Sequence, residues 1–309
     1  MKKTLVLNFI FLILAVVVLG YTSGCSLARK IAMNQVGDAL ASSGTAFSSD
    51  NDPELIKDAV PFSLKLMESI LAETPKHDKL LLAVSSGFTQ YSYAFVQQEA
   101  DELEDQDLAK ATEIRTRAQH LYIRARDYGI RGLELKHQGF EKTLRENPKK
   151  AVQIVTVKDV PLLYWTALSW GAAISISKNN PDLIADQPVV ETMIDRALEL
   201  KEDYEHGAIH TFLITYESAR QGGKGDFAER SLKHFDRAIA LSNGQLVSPM
   251  VAYAETVCVA KQNKAEFQSL LNKALSVNVD AKPEWRLMNL VMQRRARWLL
   301  SRTEQLFVE

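Results

Sequence analysis

The chain has 309 residues with 37 Lys and Arg against 38 Asp and Glu, a net charge of −1, and two cysteines. Nucleic-acid binding asks for a surplus of basic residues on one face, and this balance gives no support for it. A disulfide framework is likewise excluded if either cysteine has another use.

The chain opens with Lys2 and Lys3, and every residue from Phe9 to Leu19 is apolar, the charged start and short apolar run of a secretory signal. A membrane-spanning helix needs about 20 apolar residues, and Tyr21-Thr22-Ser23-Gly24 arrives too soon for that. Ser23-Gly24-Cys25 is the lipobox pattern, with Thr22 where a leucine is usual. Residues 1–24 are therefore expected to be a lipoprotein signal peptide, with Cys25 the lipid-modified first residue of the mature chain. Residues 25–50 then form a lipidated N-terminus with a short helix, and 51–309 a helical-repeat domain. Ser26 after the cysteine fits sorting to the outer membrane. Two or more acyl chains hold such an anchor stably, since each buried methylene contributes about 0.8 kcal/mol. Cys258, in "AETVCVAK", is left without a partner and reads as a buried small hydrophobe.

After the signal, Gly and Pro are scarce and apolar residues recur at three and four, which predicts an all-α chain. Helices are expected at roughly 28–42, 53–73, 77–103, 107–137, 159–178, 184–201, 205–220, 226–242, 248–261, 263–277 and 283–305. Asp52-Pro53-Glu54 shows how one begins: a capping carboxylate, a proline whose missing N–H costs nothing at the first position, and an acid at the positive end of the dipole. Ala151 to Val157, "AVQIVTV", is β-branched and open between a short strand and a helix end.

Three helix ends align around Ala197, Ala238 and Ala274, at spacings of 41 and 36 residues, near the 34 of a tetratricopeptide unit. A small side chain at that position lets two helices cross closely. Trp165-Thr166-Ala167-Leu168 has the W-x-x-L spacing of a repeat's first helix. The expected architecture is thus a stack of helix pairs, solenoid or bundle, built from tetratricopeptide-like repeats, with an irregular helical bundle as the alternative.

Chemistry-bearing clusters are few. His206 and His210 would stand one helical turn apart, a spacing that can hold zinc, but Gly207 replaces the glutamate that a zinc hydrolase needs, so no metal is expected. His77, His120, His137 and His234 are scattered. "GGKGD", 222–226, lacks phosphate-loop spacing and reads as a loop. The acidic run 99–107 is either a solvated turn or an electrostatic rim for a basic partner. Arg117, Arg124 and Arg131 recur every seven residues on one helix face, either solvated and ion-paired or able to take a carboxylate. Phe88, Tyr91, Tyr93 and Phe95, with Tyr164, Trp165 and Trp170, are core residues or the wall of a ligand cavity. These aromatics with Arg117 and Arg124 are the first candidates for a ligand-facing surface. No base, nucleophile and orienting group occur together, so neither catalysis nor a cofactor is expected.

The segments "FSSDNDPELIKDAVPFSLKLMESIL" (47–71) and "LLLAVSSGFTQYSYAFVQQEAD" (80–101), taken with the lipobox and the later helix pairs, resemble the TatT component of tripartite ATP-independent periplasmic (TRAP) transporters. That resemblance implies an all-helical lipoprotein on the periplasmic side of the envelope. It also implies self-association as a trimer, docking of the periplasmic substrate-binding protein, and a cavity for a small apolar or carboxylate-bearing ligand. A tetratricopeptide lipoprotein scaffold in envelope assembly, without a transport role, is the alternative, and neighbouring genes would discriminate.

Overall fold

The computed structural model describes residues 29–308; Cys25 and the expected signal segment lie outside them. The described residues are helical, with no strand. α1 (29–41) and α2 (Gly44–Ser48) precede α3 (Pro53–Glu73), which starts as expected, the Asp52 carboxylate accepting from the backbone N–H groups of Glu54 and Leu55. α4 (Asp78–Tyr91) runs through a π-helical segment, Ser92–Gln97, into α5 (Gln98–Leu103). α6 (Leu108–Lys136) is capped by Asp107 and is the longest helix described.

The region between α6 and the next long helix departs from expectation. α7 (Phe140–Glu146) and α8 (Pro148–Val152) fill it, and a 3-10 turn, Val157–Asp159, leads into α9 (Val160–Ser175). The β-branched stretch 151–157 forms no strand. Asp159 accepts from both the backbone N–H and the hydroxyl of Thr156, which ties the segment into a capping box instead of a ladder. Its valines Val152 and Val155 are buried while Ile154 and Val157 stand half exposed.

α10 (Pro181–Ala185) and α11 (Gln187–Leu200) occupy the expected 184–201 helix. The expected helix 205–220 is broken at its start: Glu205, His206 and Gly207 have φ of 44°, 55° and 98°, so three successive residues are left-handed. A β-carbon on Gly207 would stand 3.1 Å from the Ala238 Cα, and this close approach fixes where α12 (Ala208–Tyr216) begins. α13 (Phe227–Ser242) follows. α14 (Ser248–Tyr253) passes into a second π-helical segment, Ala254–Cys258, and α15 (Lys264–Ser276), α16 (Arg286–Ser301) and α17 (Thr303–Leu306) complete the chain.

Three apolar clusters organise these helices. One joins α3, α4 and α6, a second α9, α11 and α12 with α7 and α8, and a third α14, α15 and α16. Each fully buried Leu or Phe, such as Leu80, Leu133, Phe140 and Phe267, contributes about 1.5–3 kcal/mol relative to exposure. α9 packs on α11, α12 on α13 and α14 on α15. Ala197, Ala238 and Ala274, in the second helix of each of these pairs, are fully buried. α6 lies closely along α9 because two glycines face it: a β-carbon on Gly129 would fall 2.1 Å from Thr166 Oγ1, and one on Gly132 would fall 2.7 Å from Leu162 Cδ2.

The acidic run is no free rim. Glu99 pairs with Lys57 at 3.1 Å, and Asp101 and Glu104 hold Arg115. Glu102 holds Arg294 at 2.6 Å, Asp101 holds Arg295 at 3.0 Å and Asp105 holds Arg302 at 3.0 Å. A contiguous set of carboxylates thereby clamps the N-terminal helices to α16 and the residue after it.

The seam between α6 and α9 makes a direct test of packing. Gly129→Ala is expected to lower unfolding free energy by about 1–3 kcal/mol through overpacking, measured by urea denaturation. Adding Thr166→Ala, which removes the Oγ1 at 2.1 Å and leaves the Thr166 Cβ and Ser85 Oγ at 3.0 Å, should recover part of the loss.

Candidate functional site: a charged junction between two π-helical segments

A π-helical turn carries one extra residue, so it disrupts the regular ladder and re-aims the side chains beyond it; such turns occur frequently at functional sites. Both π-helical segments of this protein lead to one place. Tyr93, from the first, packs against the N-terminal and the C-terminal apolar clusters alike. Beside it lies Arg295 of α16, only 6% exposed. Its Nη1 stands 3.0 Å from Asp101 Oδ2, and its Nε donates to Glu255 Oε2 at 3.3 Å, with a second bond from Nη2 to Glu255 Oε1. The guanidinium also lies over the Trp298 ring, 4.2 Å from its centroid.

Further polar groups line this junction. Tyr122 donates to Gln97 Oε1 at 2.7 Å. Gln98 is 1% exposed, and neither its amide oxygen nor its nitrogen meets a partner in hydrogen-bond geometry, although it lies beside Tyr93. Burial pushes the Tyr93 hydroxyl up to about 12. Burial also raises Asp101, against the pull of Arg295 and Arg115. For Arg295 burial opposes the charge, but Glu255, Tyr93 and Asp101 around it raise its pKa overall. The junction is thus a fixed cation between two carboxylates, with the buried Gln98 amide and the Tyr93 hydroxyl beside it.

Removing one member of such a set leaves the others charged and unpaired. Arg295→Met is expected to cost about 3 kcal/mol, the lower end of the range for buried pairs because Glu255 keeps some solvent contact. Arg295→Lys should recover part of that loss by retaining charge without the fork. Denaturant unfolding of both variants measures this.

The aromatic candidates fall into separate groups. Phe88, Tyr91 and Phe95 belong to the cluster of α3, α4 and α6, with Phe88 stacked on Tyr128 at 6.5 Å and Tyr91 against Phe95 at 5.8 Å. Tyr164, Trp165 and Trp170 belong to the cluster of α9, α11 and α12. There Tyr164 meets Trp165 at 5.0 Å and Tyr204 at 5.2 Å, while Trp170 donates to Asp186 at 3.2 Å. Tyr93 alone of the set reaches the charged junction. Tyr93 and Trp165 keep partial solvent contact, Arg117 is exposed, and Arg124 lies over the Phe88 ring at 5.4 Å. Glu255, Gln98 and Arg295 stand outside the sequence-based candidates, and Asp101 entered only as part of the acidic run; the available signal was Glu255, a lone charge among the mostly apolar residues of "VAYAETVCVA".

The left-handed turn separates the two histidines that the spacing placed together. His206 turns to Trp285, with ring centroids 4.9 Å apart, while His210 faces His234, Nδ1 to Nδ1 at 2.9 Å. Glu202 stands 3.5 Å from His210 Nε2, and Glu217 stands 4.0 Å from His234 Nε2. Lys201, Asp203, Tyr204, Glu205, His206 and Leu241 line an open depression of about 540 Å³ at this turn. Cys258 is 1% exposed, and burial followed by the nearby Glu266 pushes its thiol up to about 12.

Burial, then the neighbouring His210, lowers His234 from 6.5 to about 4, and burial also lowers His210. A base whose folded pKa is depressed stabilises the fold above its unfolded pKa and loses that contribution as pH falls toward the folded value. Thermal stability should therefore decline between about pH 6.5 and 4. His234→Gln should shrink the difference in melting temperature between neutral and mildly acidic buffer, and an unchanged difference would contradict this assignment.

Residues 49–307 match the TRAP transporter T-component family. An uncharacterized protein of Treponema pallidum (strain Nichols) is 27% identical over 267 residues, covering 85% of this chain and 83% of its own length. The family match takes in everything from before α3 to the end of α17, including the junction of the two π-helical segments and the ion clamp. The chain belongs to the TRAP transporter T-component family, accessory to TRAP transport.

Proposed function

We propose that the protein is a lipid-anchored scaffold of a TRAP uptake system: it self-associates on the periplasmic side of the outer membrane, docks the substrate-binding protein and receives a small ligand among its helices. The family match over residues 49–307 carries this reading. No helix among the described residues is long and apolar enough to cross a membrane. The pairs α9 with α11, α12 with α13 and α14 with α15, each with a buried alanine in its second helix, support a tetratricopeptide-like arrangement.

Leu55, Phe62 and Leu66, spaced seven and four along α3, are 57%, 74% and 38% exposed. An exposed apolar row of this kind supports a protein contact such as self-association; the trimeric number is what the family resemblance implies. For the ligand, the proposal keeps the aromatic candidates Phe88, Tyr91, Tyr93, Phe95, Tyr164, Trp165 and Trp170 and adds the junction of Gln98 and Arg295 as its polar end; Arg117 and Arg124 stand exposed on α6 rather than among the helices. Sedimentation of the purified chain with its cognate binding protein tests the scaffold: a species larger than either component is expected, and a monomer that ignores the binding protein would overturn the reading.

A further inference from the structure

Arginines of this protein are mostly committed to carboxylates. Arg115, Arg126, Arg220, Arg286, Arg294, Arg295 and Arg302 each hold at least one. On the outer face of α6 that pattern stops. Arg117 and Arg131 are exposed and have no carboxylate partner among the described residues, and Arg124 approaches only Glu68, at 3.8 Å. Asp127, the one carboxylate that lines the depression between them, is taken by Arg126 at 2.8 Å; Glu113, one turn before Arg117, pairs with Lys110 at 2.9 Å, and Glu134, one turn past Arg131, accepts from the backbone N–H groups of Gly139 and Glu141.

Residues 117, 124 and 131 recur every two turns, so their guanidiniums form a row about 21 Å long at 1.5 Å per residue. Between them His120, Ile123 and Tyr128 help line an open depression of about 360 Å³. Its floor is held in place: the Tyr128 hydroxyl donates to Glu68 at 2.9 Å, and its ring stacks on Phe88. Arg131 lies 5.0 Å over the Tyr128 ring and Arg124 lies 5.4 Å over Phe88. Aromatic faces orient these arginines while leaving their N–H forks open to an outside carboxylate.

We propose that this face of α6 docks an acidic surface of the substrate-binding protein, whose carboxylates bridge Arg117, Arg124 and Arg131. This rests on the partner named above. The length of the row favours a protein over a small anion, because one carboxylate fills one fork, whereas this row calls for several carboxylates on a rigid support. Arginine and tyrosine are also the side chains that dominate protein interfaces. A second copy of the chain is a poor source of the counter-charge, since its densest acidic stretch, residues 99–107, is consumed by its own arginines and lysine.

Arg117→Glu with Arg131→Glu tests the surface without removing any internal ion pair, and an unchanged thermal melt verifies the fold. Titration calorimetry of the full chain against the cognate binding protein, at low and high salt, is the readout. At low salt the double variant should bind at least about tenfold more weakly than wild type and show a flatter salt dependence. Lysine substitutions of acidic residues on the binding protein should restore its affinity. Equal binding by variant and wild type would overturn the surface and leave the partner standing. No binding by wild type at either salt would remove both. If the variant keeps its partner but loses pelleting with phosphatidylglycerol vesicles, or loses self-association in sedimentation, lipid headgroups or a second copy occupy the face, and the proposal fails.

Discussion

The ion clamp between residues 99–107 and the C-terminal arginines is the constraint on which the rest of the structure depends. Glu102 and Arg294 are 192 positions apart in the chain, yet their side chains form a fork-to-fork pair. Individually, exposed pairs of this kind contribute little, typically under about 1 kcal/mol. Their weight here comes from being a contiguous network whose middle member, Arg295, is buried and held by the partly buried Asp101 and Glu255. A stack of helix pairs would otherwise have two open ends. Here the last long helix is returned to α3 and α5, so the pairs are held between elements that they themselves separate in sequence.

Local rules made much of the fold legible. Asp52 and Pro53 mark the start of α3, Asp107 caps α6, and the alanines at 197, 238 and 274 lie buried in the second helices of consecutive pairs. Illegible parts depended on distant partners. The turn at Glu205–Gly207 exists because Ala238 comes within touching distance, which no pattern around residue 207 reveals. Thr156 reads as a strand former until Asp159 captures it.

The candidate site shows the same division more sharply. Aromatic density singled out Phe88 and Tyr164, but density along a chain does not say which cluster a ring joins, and they joined different ones. Tyr93 lies on a regular helix by its periodicity. In the structure it lies in a π-helical segment and packs against both the N-terminal and the C-terminal clusters, a placement that a 3.6-residue period does not give. The acidic run was conspicuous as charge; its partners, arriving near the chain's end, were not.

That late arrival has a kinetic meaning. Loop closure over some two hundred residues comes after the local helix pairs in any order governed by chain entropy. Until α16 emerges and docks, Asp101 and Glu255 lack their shared cation, and the part of the N-terminal apolar cluster that Leu287 and Val291 of α16 cover stays exposed. For a chain that emerges from its N-terminus onward, the closing helix therefore acts as a timer: the N-terminal helices stay open until the last long segment arrives, and the molecule becomes a closed body only then.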